Sequence, residues 1–135
     1  MSKTILITGS STGIGRATAK HFQANGWNVI ATMRSPQKET ELNTLDNVLV
    51  TRLDVQDIAS IEKTIADGLE RFGKIDVLLN NAGYGLMGPF EGITPESIQR
   101  QFGVNVFGLF DVTRAILPHF RANKSGLILN VSSIG

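Results

Sequence analysis

The chain has 135 residues, which suits one domain and leaves no room for two complete ones. Hydrophobic residues make up 41% and charged residues 19%, and the net charge is +1 with basic residues scattered, so neither a disordered chain nor the basic face of a nucleic-acid binder is expected. There are no cysteines, which excludes disulfides, thiolate metal sites and a cysteine nucleophile.

Residues 4–7 form the first expected strand, and Thr8-Gly9-Ser10-Ser11-Thr12-Gly13-Ile14-Gly15 follows it into a helix expected over 13–25. Glycine in such a turn permits a tight bend, close approach of backbone to a pyrophosphate, and close packing of helix on strand. The helix N-terminus offers unpaired N–H groups and partial positive charge to phosphates, and Ser10, Ser11 and Thr12 add hydroxyl donors. The alternative is that the glycines only shape the turn.

A second strand is expected over 28–32, with Trp27 packing at its start. In nucleotide-binding sheets of this kind the end of that strand reads the adenosine ribose. A carboxylate there accepts from the 2′-OH of NAD, and an arginine pairs with the 2′-phosphate of NADP. The residues present are Thr32-Met33-Arg34-Ser35, with no acid until Glu39. Arg34, helped by Ser35 and Lys38, points to NADP; the alternative is a solvated loop arginine.

A third strand over 48–53 leads to Asp54 and Val55. The helix over 58–72 is the clearest element. Ile58, Ile61, Ile65, Leu69 and Phe72 form one apolar stripe, Asp57 stands at the N-cap and Gly73 at the stop. A fourth strand over 76–80 runs into Asn80-Asn81-Ala82-Gly83. A third helix over 95–122 opens with Thr94-Pro95 and contains Asn105. Its Gly103, Gly108 and Pro118 predict a bend or break. The fifth strand, 127–131, runs into Ser132-Ser133-Ile134-Gly135. Short, nearly continuous apolar strands alternating with helices predict an α/β fold with a doubly wound parallel sheet. His21 and His119 lie far apart with no acids at ligand spacing, so no metal site is expected.

Together, T-G-S-S-T-G-I-G, N-N-A-G, Asn105 and the serine pair resemble the short-chain dehydrogenase/reductases, over essentially the whole chain. The resemblance implies a Rossmann sheet of strand order 3-2-1-4-5 and hydride transfer between NADP(H) and an alcohol or carbonyl substrate. To the cofactor-binding set of Gly9, Ser11, Thr12, Gly13, Ile14, Gly15 and Arg34 it adds Asp54 and Val55 at the adenine ring. It also adds Asn81, Ala82 and Gly83 along the cofactor. Asn105 would hold a water of the proton relay, and Ser133 would bond the substrate oxygen. Plainer readings exist for each. Asp54 could cap the turn before the 58–72 helix, Asn81 could be a turn residue, Asn105 could bond a neighbouring carbonyl, and Ser133 could be a loop hydroxyl.

In the family a Tyr-x-x-x-Lys motif roughly a dozen residues past the serine carries the acid–base step. It falls outside these 135 residues, and Tyr84 has no lysine four positions on. Tyr84 reads instead as part of a loop near the substrate mouth. Residues 1–135 are therefore expected to be the NADP(H)-binding domain, incomplete at its C-terminus and inactive alone, of a longer enzyme. The stretch 83–91 resembles that of members acting on bulky apolar alcohols. A cytoplasmic homo-oligomer without nucleic-acid or membrane partners is expected. The alternative is a non-catalytic NADP(H)-binding sensor or regulator.

Overall fold

Five short strands make one parallel sheet in the computed structural model, which describes residues 2–133. They are β1 (Thr4–Ile7), β2 (Asn28–Met33), β3 (Val48–Arg52), β4 (Val77–Asn80) and β5 (Leu127–Asn130). Their order is β3-β2-β1-β4-β5, as expected. The chain winds outward from β1 to β3 and then crosses back to β4. That reversal opens a crevice beyond the carboxyl ends of β1 and β4, the place where open α/β sheets bind ligands.

Alternation along the strands explains why their sequences lack a polar face. Ile5 and Ile7 pack with Val29, Ala31, Val77 and Leu79 on one side of the sheet, where α1 (Gly13–Ala24) contributes Ala19. Leu6, Ile30 and Leu78 pack on the other side with Ile61 and Ile65 of α2 (Ile58–Phe72). The register places Ile5 opposite Val29 and Val77, and Leu6 opposite Ile30 and Leu78.

The bounds of α2 follow from its caps. The Asp57 carboxylate accepts the Ser60 N–H, and Gly73 closes the helix at φ +80°. Ile58, first in the apolar stripe, is nevertheless exposed. The helix expected over 95–122 is broken. It consists of α3 (Pro95–Phe102), a π-helical turn at Gly103–Gly108, and α4 (Leu109–Asn123). Pro118 does not cause the break, since α4 continues through it.

Val112, Ile116 and Phe120 of α4 join the α2 side of the core. His119 is half-buried, and its Nε2 accepts the Ile75 N–H at 3.2 Å, tethering α4 to the segment before β4. Trp27 packs edge-on against Phe22, with ring centroids 4.9 Å apart. β5 forms one edge of the sheet and leaves Leu127 and Leu129 exposed. Ile134 and Gly135 of the final motif lie outside the described residues. Among the described residues no helix is long and apolar enough to cross a membrane, and no three His, Asp or Glu side chains cluster to hold a metal.

Candidate functional site

The glycine turn leaves β1 at the reversal point, and its three glycines are required for different reasons. Gly9 has φ +67°, and a Cβ there would stand 3.0 Å from the Ala82 Cα. Gly13 has φ +58° with open space around it, so the conformation alone demands glycine. At Gly15 a Cβ would lie 2.1 Å from the Gly9 carbonyl oxygen and 2.5 Å from Asn81 Nδ2, which is close packing of α1 on the turn. Ser11 and Thr12 are exposed, and the Thr12 side chain makes no capping bond, so its hydroxyl is free. Ser10 corrects the expectation of three phosphate donors. It is fully buried, and its hydroxyl donates back to the Ile7 carbonyl at 3.1 Å.

The loop after β4 hangs on the same turn. Thr8 Oγ1 accepts the N–H groups of Asn81 and Ala82, both at 2.9 Å, and Asn81 Nδ2 donates to the Gly9 carbonyl at 3.0 Å. Asn80 is buried and spans from β4 to Thr113 Oγ1 at 3.1 Å and Asn130 Oδ1 at 3.0 Å. Asn81 is thus a long-range tie rather than a local turn former.

Asn105 sits in the π-helical turn with both ends of its amide engaged. Oδ1 accepts the Tyr84 N–H at 3.0 Å, and Nδ2 donates to the Tyr84 carbonyl at 2.8 Å. A neighbouring carbonyl is indeed bound, but by a clamp on the opposite loop. Each end retains a second lone pair or N–H. Asp54 likewise has a structural duty: Oδ1 accepts the Gln56 N–H at 3.0 Å, and its carbonyl accepts the Asp57 N–H at 2.8 Å. Val55 is seated on the π-helical turn through Gly108, where a Cβ would stand 2.5 Å from Val55 Cγ2.

These segments line one cleft of about 610 Å³, within the range of small-molecule and cofactor sites. Gly9, Ser11, Thr12, Gly13 and Ile14 form one wall, Arg34 stands beside them, and Asp54, Val55, Asn81, Ala82 and Gly83 complete the expected set. Gly15 packs behind the turn instead. Ser133 is exposed beyond β5 and does not line the cleft. Tyr84 does line it, together with Gln56, Arg100 and Val104, which no sequence motif singled out. Val104 adjoins Asn105 and Arg100 lies one turn earlier, a spacing that could have flagged both.

Arg34 is exposed and, among the described residues, makes no ion pair or side-chain hydrogen bond. Glu39, the first acid after it, is committed elsewhere. Its side chain is 4% exposed and takes both Arg16 nitrogens, at 2.7 and 3.2 Å. It also accepts the N–H groups of Glu41 and Leu42 at 2.8 Å each. The Arg16 hydrogen bond, aided by these N–H donors against the cost of burial, holds the Glu39 carboxyl down at about 2.

The family model for short chain dehydrogenase matches residues 3–135. The chain belongs to the short-chain dehydrogenase family. Within it, an uncharacterized oxidoreductase of Schizosaccharomyces pombe is 50% identical over 103 residues, covering 76% of this chain and 44% of the relative. The structure of ElxO with NADP bound superposes with a TM-score of 0.90 at 32% identity, over 98% of this chain and 56% of that one. A 3-ketoacyl-(acyl-carrier-protein) reductase from Brucella melitensis, complexed with NADH, also gives 0.90, at 35% identity, over 97% of this chain and 57% of that one. The chain thus spans about half the length of the relatives it matches, and the two structures carry different cofactors.

Proposed function

We propose that this chain is the NADP(H)-binding part of an oxidoreductase that interconverts an alcohol and a carbonyl compound. One observation carries the cofactor choice. Arg34 stands unpaired in the same cleft as the glycine turn, while Glu39, the first acid after it in the chain, is locked to Arg16 and does not line the cleft. Solved relatives carry either cofactor, so the preference rests on this chain's own residues.

The cleft residues fit a dinucleotide. The amides opening α1, with the free hydroxyls of Ser11 and Thr12, suit a pyrophosphate. Arg34 suits a 2′-phosphate through charge-assisted hydrogen bonds. Asp54 and Val55 are assigned to the adenine ring. Asn81, Ala82 and Gly83 form the backbone against which the rest of the cofactor lies. When bound, NADP(H) supplies the hydride.

The chain's own part in the chemistry is placement and proton handling. Asn105 fixes the Tyr84 loop, and its spare lone pair and N–H are enough to hold a relay water. Ser133 is assigned to the substrate oxygen, and a Tyr/Lys pair beyond residue 135 to the proton transfer. Tyr84, Met87 and Phe90 expose apolar surface along residues 84–90, which favours a bulky apolar substrate. Phe102, Phe107 and Phe110 expose an apolar face on the helices, suited to a second copy of the chain.

Fluorescence titration of the full-length protein with NADPH and NADH tests this reading. NADPH should bind at least about tenfold tighter, and Arg34→Ala should remove that margin, since charge-assisted bonds contribute about 1.5–3 kcal/mol each. Equal affinities, or a preference for NADH, would refute it.

A further inference from the structure

We infer that Arg16, which does not line the cleft, sets the preference for a 2′-phosphorylated dinucleotide by sequestering Glu39 and Glu41, so that Arg34 stays free. The inference rests on the NADP(H) reading above and identifies a second residue behind it.

Arg16 directly follows Gly15, on the first turn of α1. Besides its two contacts with Glu39, its Nη2 pairs with Glu41 Oε1 at 2.9 Å. Lys20, one turn further along α1, also pairs with Glu41. Two cations and two carboxylates make a neutral cluster. Removal of Arg16 would leave a net negative charge, because Glu39 is fixed in place by the N–H groups of Glu41 and Leu42.

That charge would sit close to the ribose end of the cleft. Only four residues separate Arg34 from Glu39, and a fully extended span of that length reaches about 17 Å. The actual path is shorter, since Lys38 N–H bonds to the Ser35 carbonyl and Glu39 N–H to the Pro36 carbonyl. The Cα–Cα separation is therefore below about 17 Å, within about two Debye lengths of roughly 8–10 Å, and the cluster is partly buried, so screening is incomplete. An uncompensated Glu39 would attract Arg34 and repel a 2′-phosphate. A cofactor lacking that phosphate would be affected far less.

A double-mutant cycle in the full-length protein separates this role from simple scaffolding. Dissociation constants for NADPH and NADH would be measured for wild type, Arg16→Met, Glu39→Gln and the double variant. Arg16→Met should lower the preference for NADPH by about tenfold, and adding Glu39→Gln should restore it to within about threefold of wild type. A scaffolding role predicts no such rescue, because Glu39→Gln removes the clamp rather than rebuilding it.

An unchanged preference in Arg16→Met would overturn the inference, as would a lost preference that Glu39→Gln does not restore. If Arg16→Met does not fold, the exposed Lys20→Met substitution serves. It should reduce the preference about twofold at low salt and not at high salt, and no change at low salt would overturn the inference. Wild type lacking any NADPH preference would defeat the cofactor reading itself and this inference with it. Wild-type preference with an unaffected cycle would defeat this inference alone.

Discussion

Glu39 shows how a single carboxylate can decide what its neighbours do. It carries no motif, and its partner Arg16 is 23 positions away, so sequence could register only that no acid preceded it after β2. The pairing has a measurable consequence. Its folded carboxyl lies at about 2 against an ordinary 4.5, chiefly because Arg16 donates to it. The carboxylate therefore contributes stability that is complete above pH 4.5 and is lost as pH falls from there through 2. At the scale of linkage that contribution is at most about 3 kcal/mol. Glu39→Gln should therefore lower the urea midpoint at pH 7, and its deficit against wild type should shrink below pH 4.5. A deficit that stays constant with pH would show that the carboxylate's charge is not what stabilises the fold. Ser10 departs from its sequence pattern for a related reason. A hydroxyl in a glycine-rich turn reads as a phosphate donor until the Ile7 carbonyl beneath it is seen.

Elements were legible where their ends are set by local chemistry. The bounds of α2 follow from Asp57 and Gly73, and the strands fall within one residue of expectation because turn residues bracket their apolar runs. The third helix was legible only as a helix that must break. Gly103 and Gly108 bound the π-helical turn because neighbouring chain presses on both. A Cβ would stand 2.5 Å from Gln56 Nε2 at Gly103, and at the same distance from Val55 at Gly108. Those contacts come from the loop after β3, and no periodicity within 95–122 encodes them. The wide turn links the two loops of the cleft, one through these glycines and the other through Asn105, and π-bulges often accompany functional sites. Asn105→Ala should remove both bonds to Tyr84. Hydrogen exchange at the Tyr84 amide should quicken by about fivefold, in line with the roughly 1 kcal/mol of a net hydrogen bond, and NADPH should bind more weakly. Unchanged exchange would mean that the clamp does not order this loop.

At the level of the whole molecule, the sheet gathers residues that sequence left scattered over more than ninety positions. Gly9 and Arg34 arrive at the ends of β1 and β2, Asp54 after β3, Asn81 after β4, and Val104 from the π-helical turn. The doubly wound parallel sheet that brings them together was legible in short apolar strands alternating with helical stretches, and its order only through the resemblance to the family. Gln56 was not, since a side chain on a cleft rim obeys no pattern along the chain, whereas Arg100 stands one helical turn before Val104. The proposed function places NADP(H) in this cleft with its 2′-phosphate on Arg34. The most direct measurement is a crystal structure of the full-length protein with NADP+. The pyrophosphate should lie at the N-terminus of α1 and the 2′-phosphate within hydrogen-bonding distance of Arg34, with Glu39 still paired to Arg16. A 2′-phosphate left in solvent with Arg34 turned away, or a cofactor bound outside the cleft, would contradict it.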